Sequence, residues 1–458
     1  MCGDVNAILY KGGIIATARG VADSLPDSLL VEDGVVSWLG NGSEVPHIVQ
    51  QRNEASSSAY EVEIVNLDGE LIVPGFVDSH IDLVALGEAI LEQPDLSLAD
   101  YATSGLQQAA SEGFVAVNHY GQVDKSLAGL TASPDEANTN QPVLPRIGLA
   151  PAIELLTVEQ GEMLLSDFPE VVSFAAGSSV DGPIGSHKAA VNQRYDDVPA
   201  PQWSGADEGR GAIYMSSAAI AHHLINATQL GRSASFVIHG DRAMDEFVEG
   251  VELAVEHVGL ENFRSVGHRI VGAELMDASA LASLVLFGIV LVAKPQYEID
   301  FGGEEGLYNR RLGPLRTVSM SPWADIAAAG VPLEFSSYVG QSSLDPWRTI
   351  YAAMNHTDRA QRLAPVMALA CHTGGWPSVE VGMPANLAMW DTGDGPIVDH
   401  AFAPTRSART KDLVISLPSL SSRLGEDYVA PRCIRSLREG REMFTASKSE
   451  ALVDTPGV

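Results

Sequence analysis

The sequence predicts an α/β chain: a (β/α)8 barrel of the TIM type joined to a small β-sandwich built from both chain ends. Three observations carry this expectation. Eight apolar, strand-like runs succeed one another within residues 70–377, and helical patterns separate most of them. Short strands with Gly-containing turns fill residues 1–69, and short strands return over 378–446. No Gly-rich phosphate loop follows an early strand, which disfavours the competing doubly wound open sheet. Residues 447–458 are expected to form a disordered tail.

In chain order, residues 7–18 and 28–39 read as short strands, with Asp33-Gly34 as a hairpin turn. Residues 51–60 read as a polar loop and 61–68 as a further strand. This module is too small to be the active unit alone. The barrel runs are 71–83, 114–120, 144–153, 171–178, 234–240, 268–274, 289–295 and 332–338. Helices are expected over 241–258, 278–286 and 322–329. Residues 130–142 read as an insertion. Residues 297–318 follow the seventh strand, at the face where barrel enzymes place lids; a plain solvated loop is the alternative.

The chain has 458 residues, 45% hydrophobic and 19% charged, which suits a well-cored protein. A net charge of -31 repels nucleic acid and anionic lipid, so neither is an expected partner. No apolar run is long enough for a membrane span, and the N-terminus does not read as a secretory signal. Cys2, Cys371 and Cys433 are few, odd in number and far apart, so a reducing cytoplasm is expected.

His80 and Asp82 stand two apart at the end of the first barrel run, which puts both on one face of a strand. That pairing suits a metal site, an acid/base pair, or a plain hydrogen-bonded pair. Lys294 ends the seventh run and Glu274 the sixth, so the two are expected to pair at the barrel mouth, because an unpaired lysine there is costly to bury. Glu334 has the opposite parity to Ser337 and is expected to face the helices. His119, His187 and Tyr297 fall at strand ends or in loops near the same face. Arg310 and Arg311 sit in the lid, where they suit either an anionic ligand or ordinary surface duty.

A resemblance rests on several of these stretches. They are Pro74-Gly-Phe-Val-Asp-Ser-His80, Asp181-Gly-Pro-Ile-Gly-Ser-His187-Lys-Ala-Ala, Ile238-His-Gly-Asp-Arg-Ala243, His268-Arg-Ile-Val-Gly-Ala-Glu274 and Asp345-Pro-Trp347. Gly382-Met-Pro-Ala-Asn-Leu-Ala388 is similar to the Gly-Lys-Pro-Ala-Asp-Leu of the same group. Together they resemble the amidohydrolase superfamily, in the branch similar to N-substituted formamide deformylases (amidohydrolase family 3). The resemblance implies hydrolysis of non-peptide C–N bonds in a small molecule. It also implies one or two divalent ions held by His-x-His on strand one, His on strands five and six, and Asp on strand eight. The metal would lower the pKa of water.

Carried over, these positions are His80, Asp82 in place of the second histidine, His239, Gly272 in place of the strand-six histidine, and Ser337 in place of the aspartate. The expected metal set is therefore His80, Asp82 and His239, binding one zinc, iron or manganese ion or none. Pocket candidates are His187, Gly272, Lys294, Tyr297, Arg311 and Ser337. Two functions stay open: a metal-dependent hydrolase of amide-like bonds, or a catalytically degenerate relative that binds a small molecule or acts as a structural subunit. A small-molecule ligand and a homodimer are the expected partners.

Overall fold

A computed structural model describes residues 7–20, 24–55, 61–131, 143–198, 209–339, 342–393, 397–402, 413–418 and 430–446. The expected tail at 447–458 and nearly all of the 130–142 insertion lie outside the described residues.

The barrel strands are β1 (Phe76–Ile81), β2 (Phe114–Gly121), β3 (Arg146–Ile153), β4 (Ser173–Ala176), β5 (Ser233–Ile238), β6 (Arg269–Gly272), β7 (Val290–Ala293) and β8 (Leu333–Phe335). They form one sheet in sequence order, with every pair parallel. Parallel strands under helices are buried on both faces, which is why they read as unbroken apolar runs. Helix Asp241–Val258 shows the complementary pattern: Ala243, Met244, Phe247, Gly250, Val251 and Ala254 make one buried stripe at helical spacing. The sheet closes through side chains. Ser337 N–H and Oγ both donate to Asp78 of β1, and Ser336 Oγ donates to His80 O.

The chain ends share sheets. Ile14–Ile15 and Leu71–Pro74 lie beside Leu387–Asp391, Arg432–Arg438 and Arg441–Thr445 in one five-stranded sheet. Asp33 and Gly34 make the expected hairpin turn with φ of 48° and 76°.

Several expectations are corrected. The run 71–83 is two strands, not one. Leu71–Pro74 belongs to the five-stranded sheet and Phe76–Ile81 to the barrel. The break falls at Gly75, where a Cβ would sit 2.1 Å from Val115 Cγ1. Residues 51–55 finish a helix, Val45–Ala55, rather than opening a loop. The segment 297–318 is largely helical rather than a plain loop: Gln296–Phe301, Leu307–Leu312 and Pro314–Thr317. Glu334 faces the lumen. Val237, Val271, Val292 and Glu334 follow one another in register, and the three valines form one cluster with Tyr338. Glu334 pairs there with Arg269. The parity argument failed because β8 stops at Phe335 and the chain bends toward Asp78 before reaching Ser337.

Candidate functional site at the barrel mouth

The C-terminal ends of β1, β5, β6 and β7 bring His80, His239, Glu274 and Lys294 together, each no more than 6% exposed. Lys294 Nζ lies 2.8 Å from Glu274 Oε1. His239 Nδ1 is 3.2 Å from Glu274 Oε2 and 3.4 Å from Lys294 Nζ. With Nδ1 assigned as the donor to Glu274, both carboxylate oxygens have a cationic or N–H partner. Burial pushes the Glu274 carboxyl up, but the Lys294 ammonium and then His239 outweigh it and bring it down to about 2. Lys294 Nζ also stands 4.6 Å from the ring centres of Tyr297 and Tyr338, so two aromatic faces lie beside it.

His80 is held by stacking. Its ring lies 4.5 Å from Tyr120 and 5.5 Å from Tyr338, nearly parallel to the latter at 10°. Burial, then the charge of Lys294, lowers its pKa to about 3, so it is neutral at neutral pH. Beneath it, Asp78 accepts from His80 N–H and from Ser337. Burial raises the Asp78 carboxyl despite those bonds. Asp181 plays the matching part at β5, accepting from the N–H groups of His239, Gly240 and Ala190, each at 2.8 Å. Burial pushes its carboxyl up to about 6.

The expected residues divide into two groups. His80, His239, Glu274, Lys294, Tyr297 and Ser337 gather at the mouth or directly beneath it. Gly272 adjoins them, with φ +94° and its missing Cβ only 3.0 Å from Lys294 Nζ. Asp82 stands apart from the two histidines in its bonding. Its Oδ1 accepts from Val84 N and Ala85 N as the N-cap of helix Leu83–Leu91. His119, 4.0 Å from Asp82, is fixed between Leu83 N and Gln122 O. His187 and Arg311 meet each other through Asp197, and Arg311 Nε also donates to Gly185 O at 2.9 Å. They fasten helix Leu307–Leu312 to the segment after β4, where Tyr308 and Leu312 pack on Ile184, Val191 and Tyr195. Tyr120, Tyr338, Asp78 and Asp181 are site residues that sequence reasoning missed. The quoted motifs at 74–80 and 181–190 contain the two aspartates.

The expected ligands His80, Asp82 and His239 are not gathered into one group that could hold a divalent ion. Asp82 Oδ1 caps a helix, and the Lys294 ammonium stands 3.4 Å from His239 Nδ1, a fixed positive charge that would repel a second cation beside it. Among the described residues no group of three or more His, Cys, Asp or Glu side chains could hold a metal ion. No helix among them is long and apolar enough to cross a membrane.

Comparison with known proteins agrees with the barrel fold. The amidohydrolase family model matches residues 97–414. Imidazolonepropionase of Chromobacterium violaceum is 26% identical over 331 residues, covering 69% of this chain and 73% of that protein. Amidohydrolase YtcJ of Bacillus subtilis is 37% identical over 101 residues, which span 22% of this chain and only 17% of that protein's length. An uncharacterized metal-dependent hydrolase from Pyrococcus furiosus superposes with a TM-score of 0.62 at 16% identity, covering 84% of this chain and 98% of that one, a likeness of fold. With the family model spanning well over half of the sequence, this chain belongs to the amidohydrolase family.

Proposed function

We propose that this amidohydrolase-family chain binds a small amide-like molecule at the barrel mouth through the Lys294 ammonium, and that it does so without a divalent ion. The Glu274–Lys294–His239 cluster carries the reading. It supplies a buried ammonium donor, held in place by the Glu274 carboxylate, where the family's chemistry calls for a cation. Family membership supports a small polar ligand with a carbonyl or amide group, which an ammonium donor recognises. Ser337 argues against inherited hydrolysis. Ser337 stands where the resemblance expects the proton-accepting aspartate, and its hydroxyl donates to Asp78. An unactivated serine hydroxyl is not appreciably ionised near neutral pH and is no base.

Metal analysis of the purified chain tests this, before and after incubation with zinc, manganese or iron(II). The expected content is well below one ion per chain. Retention near one per chain, abolished by His80→Ala and His239→Ala, would overturn the reading in favour of a metal-dependent hydrolase.

A further inference from the structure

A cavity runs from His80, under the mouth, to the opposite end of the barrel. Barrels of this kind fill their interior with layers of branched side chains. Here Val237, Val271 and Val292 pack one side of the lumen. Around the rest stand Ala116, Asn118, Gly148, Ala150 and Ser235, too small to close the space. The result is a cavity of about 1020 Å³ that reaches from Ser79 and His80 to the N-terminal ends of the strands. That is at the upper end of small-ligand pockets.

Its lower rim is basic. Arg146 opens β3, Arg232 precedes β5, Arg269 opens β6, and Arg438 arrives from strand Arg432–Arg438; Glu170 and Glu439 are the acidic residues of the lining. The chain as a whole carries 28 lysines and arginines against 59 acidic residues, so this ring runs against the overall charge. Arg269 is neutralised by Glu334. Arg232 and Arg438 are oriented by carbonyls, Arg232 Nε on Val171 O at 2.7 Å and Arg438 Nη1 on Leu144 O at 2.6 Å. Carbonyl bonds aim a guanidinium without cancelling its charge. Burial holds Arg438 below its usual range; Glu439 opposes this, and the charges of Arg441 and Arg146 add to it. An anion between Arg146 and Arg438 relieves that repulsion, and the planar guanidinium fork suits carboxylate and phosphate oxygens.

We propose that this cavity is a second binding site, entered from the face opposite the mouth, for a small organic anion whose carboxylate or phosphate is held by Arg146, Arg232 and Arg438. The uncharged remainder of the ligand lies along Asn118 and Ser235 toward His80.

Calorimetric titration of the full chain at fixed ionic strength tests it, with inorganic phosphate and adipate as separate probes. The expected result is one saturable site for at least one probe, weakened at least tenfold by Arg146→Gln and by Arg438→Gln. Arg359→Gln, exposed and outside the lining of the cavity, leaves it unchanged. Arg146 is exposed, so its variant keeps the fold and its melting temperature confirms this. Absence of saturable binding of both probes, or equal binding in wild type and in both rim variants, overturns the proposal.

Discussion

Lys294 and Glu274, just past the ends of β7 and β6, form a 2.8 Å ion pair in which both side chains are almost fully enclosed. A buried pair of this kind is weak evidence for stability but costly to break from one side. Lys294→Met strands the Glu274 carboxylate and is expected to cost about 3–5 kcal/mol in urea denaturation. Adding Glu274→Gln removes the stranded charge and restores part of the loss. An equal loss in the single and double variants would mean the two groups are not coupled.

Restoring the family's metal ligands is expected to fail. In Asp82→His, Gly272→His, Ser337→Asp, the first change deletes a helix cap, at about 1 kcal/mol. The second puts a side chain at φ +94°, with its Cβ 2.6 Å from Ile238 O. The third sets a second carboxylate beside Asp78. The triple variant should melt well below wild type and take up no more zinc than wild type.

Asp78 closes the barrel, so Asp78→Ala should act globally. It leaves the N–H groups of His80 and Ser337 without their acceptor inside the protein. The expected loss is roughly 3 kcal/mol or more. Hydrogen exchange should report faster opening of β1 and β8 together.

His268 gives a pH-dependent signal. It accepts from Ala234 N at Nδ1 and meets Thr228 at Nε2, and burial, helped by His223, lowers its pKa to about 3. Its unfolded value is near 6.5, so between these limits the unfolded chain binds the extra proton. Stability from this group is therefore complete above about pH 6.5 and falls as pH drops toward 3. The advantage of wild type over His268→Gln should shrink by about 2 kcal/mol between pH 7.5 and pH 5. Denaturation of both at the two pH values measures it.

The eight barrel runs were legible because strands buried on both faces announce themselves without any partner in view. Helix Asp241–Val258 was legible for the same reason, its stripe being local. The pairing of Lys294 with Glu274 followed from the cost of burying an unpaired charge. What failed depended on contacts across the chain. Gly75 separates two strands because Val115 crowds it, and Val115 lies forty residues away. Glu334 faces inward by its register with Val292, and parity counted from Ser337 missed this because Ser337 lies beyond the end of β8. Strand Ile397–Phe402 went unread because its pairing with Leu413–Pro418 is what makes it a strand. Asp78 and Asp181 sat inside recognisable motifs, yet their work is to accept backbone N–H groups whose positions only the folded chain supplies.

Gly75 makes the two sheets share one rigid rod. The four residues before it are bonded into the five-stranded sheet and the six after it into the barrel, with a single residue between them. There is no slack to absorb a change of length. One inserted residue would have to bulge against Val115, or else shift β1 by a full pleat and carry His80 to the helix-facing side. Insertions and deletions should therefore be tolerated poorly at this junction compared with any surface turn of the protein. Displacement of the outer sheet would be transmitted undamped to the histidine at the mouth.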